Sequence, residues 1–332
     1  MTPFISNLLI RGHFYGPFLV RESDPSSVAS EVTTFWQWLN LLHALTHVLG
    51  KRALLLNLDE TSVSRAVSNV RGLVVTSKCP IHRWSRRPIA PQPARKRPRR
   101  GAMTHICLIS DLPDVQRVLP QVFLVNQYTC SVAAAAAASL DNVQVWRQGT
   151  AWSTSITMVH LLELLSSRLQ PFREQYQPIL IMDCDPCHLS SAVVAAATAN
   201  GIWLVPAPAR LTWLLQPLDV CVLRQYKREL QKRYRRLVCD AVGGVVSDAE
   251  WLLGITRAAA DFLYSRPWRH AFLRTGTTGT QESVSSALKS YGSPPVQGPT
   301  AEHLRLLFPR RRNIDLDSFF HPILATCRSR LA

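Results

Sequence analysis

A chain of 332 residues, 47% apolar and only 18% charged, is long enough to bury a substantial core and too hydrophobic for wholesale disorder. No apolar run reaches the roughly 18 residues of a membrane span, and residues 1–20 lack the pattern of an export signal, so a soluble, unexported chain with mostly buried thiols is expected. The formal charge of +16, with Arg far outnumbering Lys, favours a polyanionic partner such as nucleic acid: guanidinium forks match phosphate oxygens, and contact releases counterions.

Residues 1–32 show little periodicity and are expected to form a poorly ordered arm. From Thr33 to Val48, Phe35, Trp38, Leu39, Leu42, Leu45 and Val48 recur at spacings of three and four, which predicts an amphipathic helix stopped at Gly50. "ALLLNLDET" then predicts a strand buried on both faces, with Asp59 at its C-terminal end. Two further strands are expected over 70–76 and 103–110, and the Pro- and Arg-rich stretch 79–101 between them is expected to be an exposed loop. Within that loop, Arg95, Lys96, Arg97, Arg99 and Arg100 fit a nuclear-localisation or phosphate-binding run, and equally a solvated basic loop.

"QVFLVNQ" reads as a fourth short strand, and Ala133 to Ala138 as a low-complexity tract with no site. A helix opens at Thr154 and ends at Pro171. "PILIMD" is a buried strand ending at Asp183, "LSSAVVAAATANG" a small-residue helix, and "IWLVPAP" another strand. A basic helix over 218–238 carries Lys227 and Arg228; an N-capped helix over 247–265 and a shorter one over 267–276 follow, before a Pro-containing tail. No internal repeat is visible, and strands alternating with helices give an α/β layout built on one mixed sheet.

Cys184, Cys187 and His188 spell C-x-x-C-H, the pattern of covalent haem attachment, but the motif follows a buried strand and no second ligand segment is evident. A structural zinc site would want a second cysteine or histidine pair, and a thioredoxin-like C-x-x-C would open a helix early in a small domain. The aspartates offer a different chemistry. Asp59 and Asp183 each end an apolar strand and Asp219 starts a helix, so three hard oxygen donors can converge on a pair of divalent cations, as in-line phosphoryl displacement requires.

Three blocks carry a resemblance: Asn57, Asp59, Glu60 and Thr61; Asp183 and His188; and Pro206, Pro208, Thr212, Gln216, Pro217, Leu218 and Asp219. They resemble the catalytic blocks of the DDE superfamily endonucleases, the transposases of the mariner and pogo group. The 35 residues between Asp183 and Asp219 lie in that family's range, and the likeness spans roughly residues 35–280. Asp183 follows its strand directly, as Asp59 does, and so fits the family register better than Asp185.

The resemblance implies a ribonuclease H-like mixed sheet flanked by helices over residues 33–285, with 286–332 as a tail. It further implies Asp59, Asp183 and Asp219 as catalytic residues holding Mg2+ or Mn2+, two ions in all, with Glu60, His188 and Gln216 in support. DNA would be the partner, met in the nucleus and without a membrane, and a homo-oligomer stays open. His188 reads equally as a histidine bonded to backbone, and Glu60 as a solvent-facing residue. Cys184 stands where the family usually has Asn, and the 58 residues ahead of Asp59 are expected to be too few for the family's helix-turn-helix modules. Three expectations follow: a metal-dependent DNA endonuclease, a silent relative that binds nucleic acid without cutting, or a haem or thiol redox protein built on Cys184, Cys187 and His188.

Overall fold

Leu54, Leu55 and Leu56 are all buried although successive strand residues face opposite sides, so strand β1 (Arg52–Ser64) is covered on both faces. The same holds for Ile106 to Ile109 in β2 (Ala102–Ser110) and Ile179 to Met182 in β5 (Tyr176–Met182). These three strands form the centre of a six-stranded sheet in the order β4-β3-β2-β1-β5-β6, with β3 at Gln121–Asn126, β4 at Val143–Gln148 and β6 at Trp203–Pro206. The computed structural model describes residues 25–64, 102–208, 210–241, 246–278 and 283–292.

β1, β2 and β3 form an antiparallel meander with a short helical turn, α2 (Pro113–Gln116), between β2 and β3, whereas β5 and β6 run parallel to β1 and β4 runs parallel to β3. Each parallel connection passes through a helix, as a crossover must: α3 (Val132–Ala138), α4 (Ser155–Leu169) and α5 (Ser191–Ala199). A meander with parallel strands added beside its first strand, flanked by helices, is the ribonuclease H-like fold.

Each crossover helix opens on a hydroxyl that accepts from the third residue on: Ser131 from Ala134 N–H, Thr154 from Thr157 N–H and Ser190 from Val193 N–H. The alanine tract is a helix whose Ala134, Ala135 and Ala138 are buried, and its small face packs on α8 (Asp248–Tyr264). Helix α8 opens on a capping box between Ser247 and Glu250. It approaches α7 (Leu223–Asp240) so closely that a Cβ on Gly254 would lie 2.4 Å from a Leu237 methyl carbon.

Helix α1 runs Pro25–Val48, eight residues longer at its start than the apolar spacing indicates, because Val28 and Val32 are buried as well. Gly50, at φ 67°, ends it as expected. Trp36 Nε1 donates to the Thr275 carbonyl at 3.2 Å and His43 Nε2 bonds that of Thr277 at 3.1 Å, which fastens α1 to the segment after α9 (Arg269–Arg274). Gly276 between them has φ 70° and lies against the Trp36 ring, where a Cβ would meet Nε1 at 2.7 Å.

Strand β4 was not expected: it is the sheet edge, partly exposed past Val143, and its mixture of Gln, Trp and Arg hides the alternation. The expected strand over 70–76 and the basic loop over 79–101 lie outside the described residues. Among the described residues six cysteines are free, with Cys107, Cys130 and Cys184 buried, and no helix is long and apolar enough to cross a membrane.

Asp111 ties the end of β2 to the start of β1, accepting from Leu55 N–H at 3.0 Å while its own N–H reaches the Leu55 carbonyl. Burial pushes its carboxyl up to about 7, against the pull of those bonds and of Arg269 and Arg52. The folded state therefore holds a proton that the unfolded chain releases at lower pH, and stability falls as pH rises towards 7. Asp111→Asn keeps an acceptor for Leu55 and should remove that decline, seen as a flatter urea midpoint from about pH 5 to about pH 8.

Candidate active site

The parallel register sets the two strand aspartates side by side. β1 and β5 pair up to Asn57 and Ile181, and each chain places an aspartate two residues further on, Asp59 and Asp183. Asp183 follows the last residue of β5 as expected. Asp59 is not at a strand end, which corrects the sequence reading: β1 continues to Ser64, paired with β2 alone, and Asp59 lies opposite Cys107. It is β5 that stops, which opens that side of β1 to a carboxylate.

Asp219 reaches the same place by a different route. The helix expected over 218–238 opens on a π-helical turn over Leu218–Val222 that carries Asp219 and continues as α7, and a separate short turn, α6 (Thr212–Leu215), precedes it. The π turn is held down by Asn57, fully buried, whose Oδ1 accepts from Leu218 N–H at 2.7 Å while Nδ2 donates to the Ile181 carbonyl at 2.9 Å and the Leu58 carbonyl at 3.3 Å. Gln216 Nε2 adds a bond to the Leu58 carbonyl at 3.2 Å. The amide of Asn57 thus holds β1, β5 and the Asp219 turn together, a role the sequence reading missed. The available signal was an Asn inside an otherwise apolar run, two residues ahead of an acid.

The electrostatics show that the three carboxylates share one region. Burial pushes Asp59 well above the usual carboxylate range, and the charges of Asp219 and Asp183 push it further, against one hydrogen bond from Glu60 N–H at 2.9 Å. Buried His188 lies between two acids, with Nδ1 2.6 Å from Asp183 Oδ1 and Nε2 3.1 Å from Glu60 Oε1. Burial alone would lower its pKa, but hydrogen bonds to Asp183, Cys187 and Glu60 raise it to about 12, so at neutral pH it donates to both carboxylates. Glu60 is thereby a partner of His188 and not a solvent-facing residue.

The cysteines divide. Cys184 is buried and its thiol donates to the Ala207 carbonyl at 2.9 Å, which continues the sheet edge past β6. Cys187, half-buried, lies beside His188 and Glu60. Asp185 accepts from Cys187 N–H at 2.9 Å and so shapes the turn. Covalent haem attachment needs both thiols on one open face with the imidazole, and here one of them is buried against the Ala207 carbonyl.

Lys227 and Arg228 are exposed on α7, as are Arg224, Arg235 and Arg236. The opposite face is apolar, with Leu223, Tyr226 and Leu230 buried. Tyr226 OH bonds His105 Nδ1 at 2.6 Å, and His105 Nε2 bonds Gln121 Oε1 at 3.2 Å. Burial lowers His105 to about 3, so the neutral ring accepts from one side and donates on the other, fixing α7 to β2 and β3. Arg95, Lys96, Arg97, Arg99 and Arg100 lie outside the described residues.

Residues 114–248 match the family of the DDE superfamily endonuclease, which bears out the family resemblance over a stretch that contains the second and third blocks, with Asp183 and Asp219, and not the first, with Asp59. Over 78 residues, 23% of this chain, the sequence is 33% identical to the human "Pogo transposable element with ZNF domain", of whose length that is 6%. Among solved structures, the "Mos1 transposase paired-end complex with left transposon end" is 12% identical with a TM-score of 0.38, over 82% of this chain and 70% of that one. The "Crystal structure of the Mos1 mariner paired end complex with Mn" is 14% identical with a TM-score of 0.38, over 83% and 71%.

Asn57→Ala removes the acceptor of a buried N–H and frees the Asp219 turn. It should cost about 1–3 kcal/mol, read as a lowered urea midpoint, and the loss should exceed that of Gln216→Ala, which removes only one bond.

Proposed function

We propose that this DDE-type chain is a metal-dependent DNA endonuclease of transposase descent that cuts phosphodiesters and can pass the freed 3′-hydroxyl to a second strand. The observation that carries the reading is the convergence of three carboxylates at the point where β5 ends, close enough that Asp219 and Asp183 raise the pKa of Asp59. Carboxylates gathered in this way repel one another until a cation joins them, and an all-oxygen set suits Mg2+ or Mn2+. Asp59, Asp183 and Asp219 would hold the ions, two by analogy with phosphoryl-transfer sites, which supply Lewis-acid stabilisation of the phosphate oxygens and activation of water.

The chain's own residues do the positioning. Asn57 and Gln216 hold the Asp219 turn against β1, and His188, itself bonded to Glu60, orients the Asp183 carboxylate. Lys227 and Arg228, on the helix that continues from that turn, meet the phosphate backbone without reading bases. Together with the basic run over 95–100 of the sequence, this supports a reading in which the substrate is nuclear DNA, and the same reading leaves self-association open.

One observation favours a second reading, a silent relative that binds DNA without cutting: Asp183 is already engaged at 2.6 Å by the protonated imidazole of His188, which competes with a cation for that oxygen. Supercoiled plasmid separates the two. Nicking that needs Mg2+ or Mn2+ and disappears in Asp183→Ala establishes the nuclease, whereas binding with no nicking in either protein establishes the silent relative. Asp219→Asn should abolish nicking yet leave DNA affinity within about twofold, since it removes a cation ligand and leaves the phosphate-binding residues in place.

Replacing Lys227 and Arg228 by Ala should weaken binding to all sequences alike and lower the salt slope by about 1 for each phosphate no longer neutralised. Fluorescence anisotropy on two unrelated duplexes at several salt concentrations checks this; a changed sequence preference would mean that these residues read bases.

A further inference from the structure

We propose that Glu60, Cys187 and His188 form a binding site for a thiophilic divalent cation of the zinc class, separate from the hard-metal carboxylate set. The inference stands apart from the nuclease reading, since it rests on three other donors. A carboxylate oxygen, a thiol sulfur and an imidazole nitrogen from these residues lie within 4.8 Å of one another. A tetrahedral shell brings its donors to about 3.5 Å, so the remaining closure is a matter of side-chain rotation.

The donors come from two elements that only the fold unites, β1 for Glu60 and the turn after β5 for Cys187 and His188. That turn is already shaped: Cys187 N–H donates to Asp185 Oδ1 at 2.9 Å and His188 N–H to the Asp185 carbonyl at 3.0 Å. His188 Nδ1 bonds Asp183 at 2.6 Å, the carboxylate–imidazole arrangement that orients a metal-bound histidine through its other nitrogen. That other nitrogen, Nε2, gives its proton to Glu60 until an ion is taken up there, which displaces that proton to solvent together with the thiol proton of Cys187. Glu60 and Cys187 are both half-buried, which leaves a route for an ion and a fourth position for water.

The sulfur decides the class of ion. Mg2+ takes hard oxygen donors, whereas a thiolate with an imidazole and one carboxylate suits Zn2+, Co2+ or Cd2+.

The test is titration of the full chain with Co2+, followed by thiolate-to-cobalt charge-transfer absorption. The expected result is a band that saturates at one equivalent, survives excess Mg2+ and is abolished by Cys187→Ser. Glu60→Gln should weaken cobalt affinity on the order of tenfold or more. Asp219→Asn should keep the band even where plasmid nicking is lost, which separates failure of this site from failure of the nuclease. Absence of the band in the folded protein, or a band unchanged in Cys187→Ser, overturns the proposal. X-ray absorption of the zinc-loaded wild type needs no variant: one sulfur at about 2.3 Å supports the site, and a shell without sulfur overturns it.

Discussion

The candidate site depends on one buried amide. Asn57 meets the Ile181 carbonyl on β5, the Leu58 carbonyl on its own strand and the Leu218 N–H at the head of the π turn. A side chain that donates and accepts at once is needed there, because the position faces both an orphan carbonyl and an orphan N–H; a carboxylate, hydroxyl or aliphatic group of that size satisfies only part of the set. Each such bond is worth only about 1 kcal/mol net, but leaving its partners buried and unmet costs more, so the clamp specifies geometry as much as it adds stability.

What the clamp holds is electrostatically unfavourable. Asp59 is crowded by protein and by two further carboxylates, and its raised pKa is the measure of that cost. A structural role would set a basic group against each acid. Here the imidazole of His188 is shared between Asp183 and Glu60, and the charges that act on Asp59 are those of other acids. By contrast, the buried chain from Tyr226 through His105 to Gln121 is neutral and paired. The contrast between a satisfied neutral network on β2 and a crowded acidic group on β1, one strand apart, is what singles out the second as the candidate site.

Helix α7 joins these two parts. It continues the turn that carries Asp219, its apolar side reaches the sheet through Tyr226, and its exposed side carries Lys227 and Arg228. On the proposed reading, a phosphate backbone lying on that basic side would be led towards the helix start, where the acids are. The long amphipathic helix positions the acidic turn and presents the cationic surface on one rigid element.

The sequence by itself determined the strands, the capped helices and the three aspartates, because these are written in short-range terms: continuous apolar runs for strands buried on both faces, a hydroxyl before each helix, an acid after each run. It did not reveal edge strand β4, whose half-exposed face carries no clear alternation, nor the continuation of β1 past Asp59, where pairing with β2 alone sustains a strand of mixed polarity. Only the tertiary structure decided that Asn57 is a clamp, that Glu60 shares His188 with Asp183, and that the two cysteines of C-x-x-C-H part company, one buried against Ala207 and one towards Glu60. The physical reason is common to all three: each rests on a contact between residues more than twenty positions apart, 128 in the case of Glu60 and His188, which the strand register creates and no local pattern records.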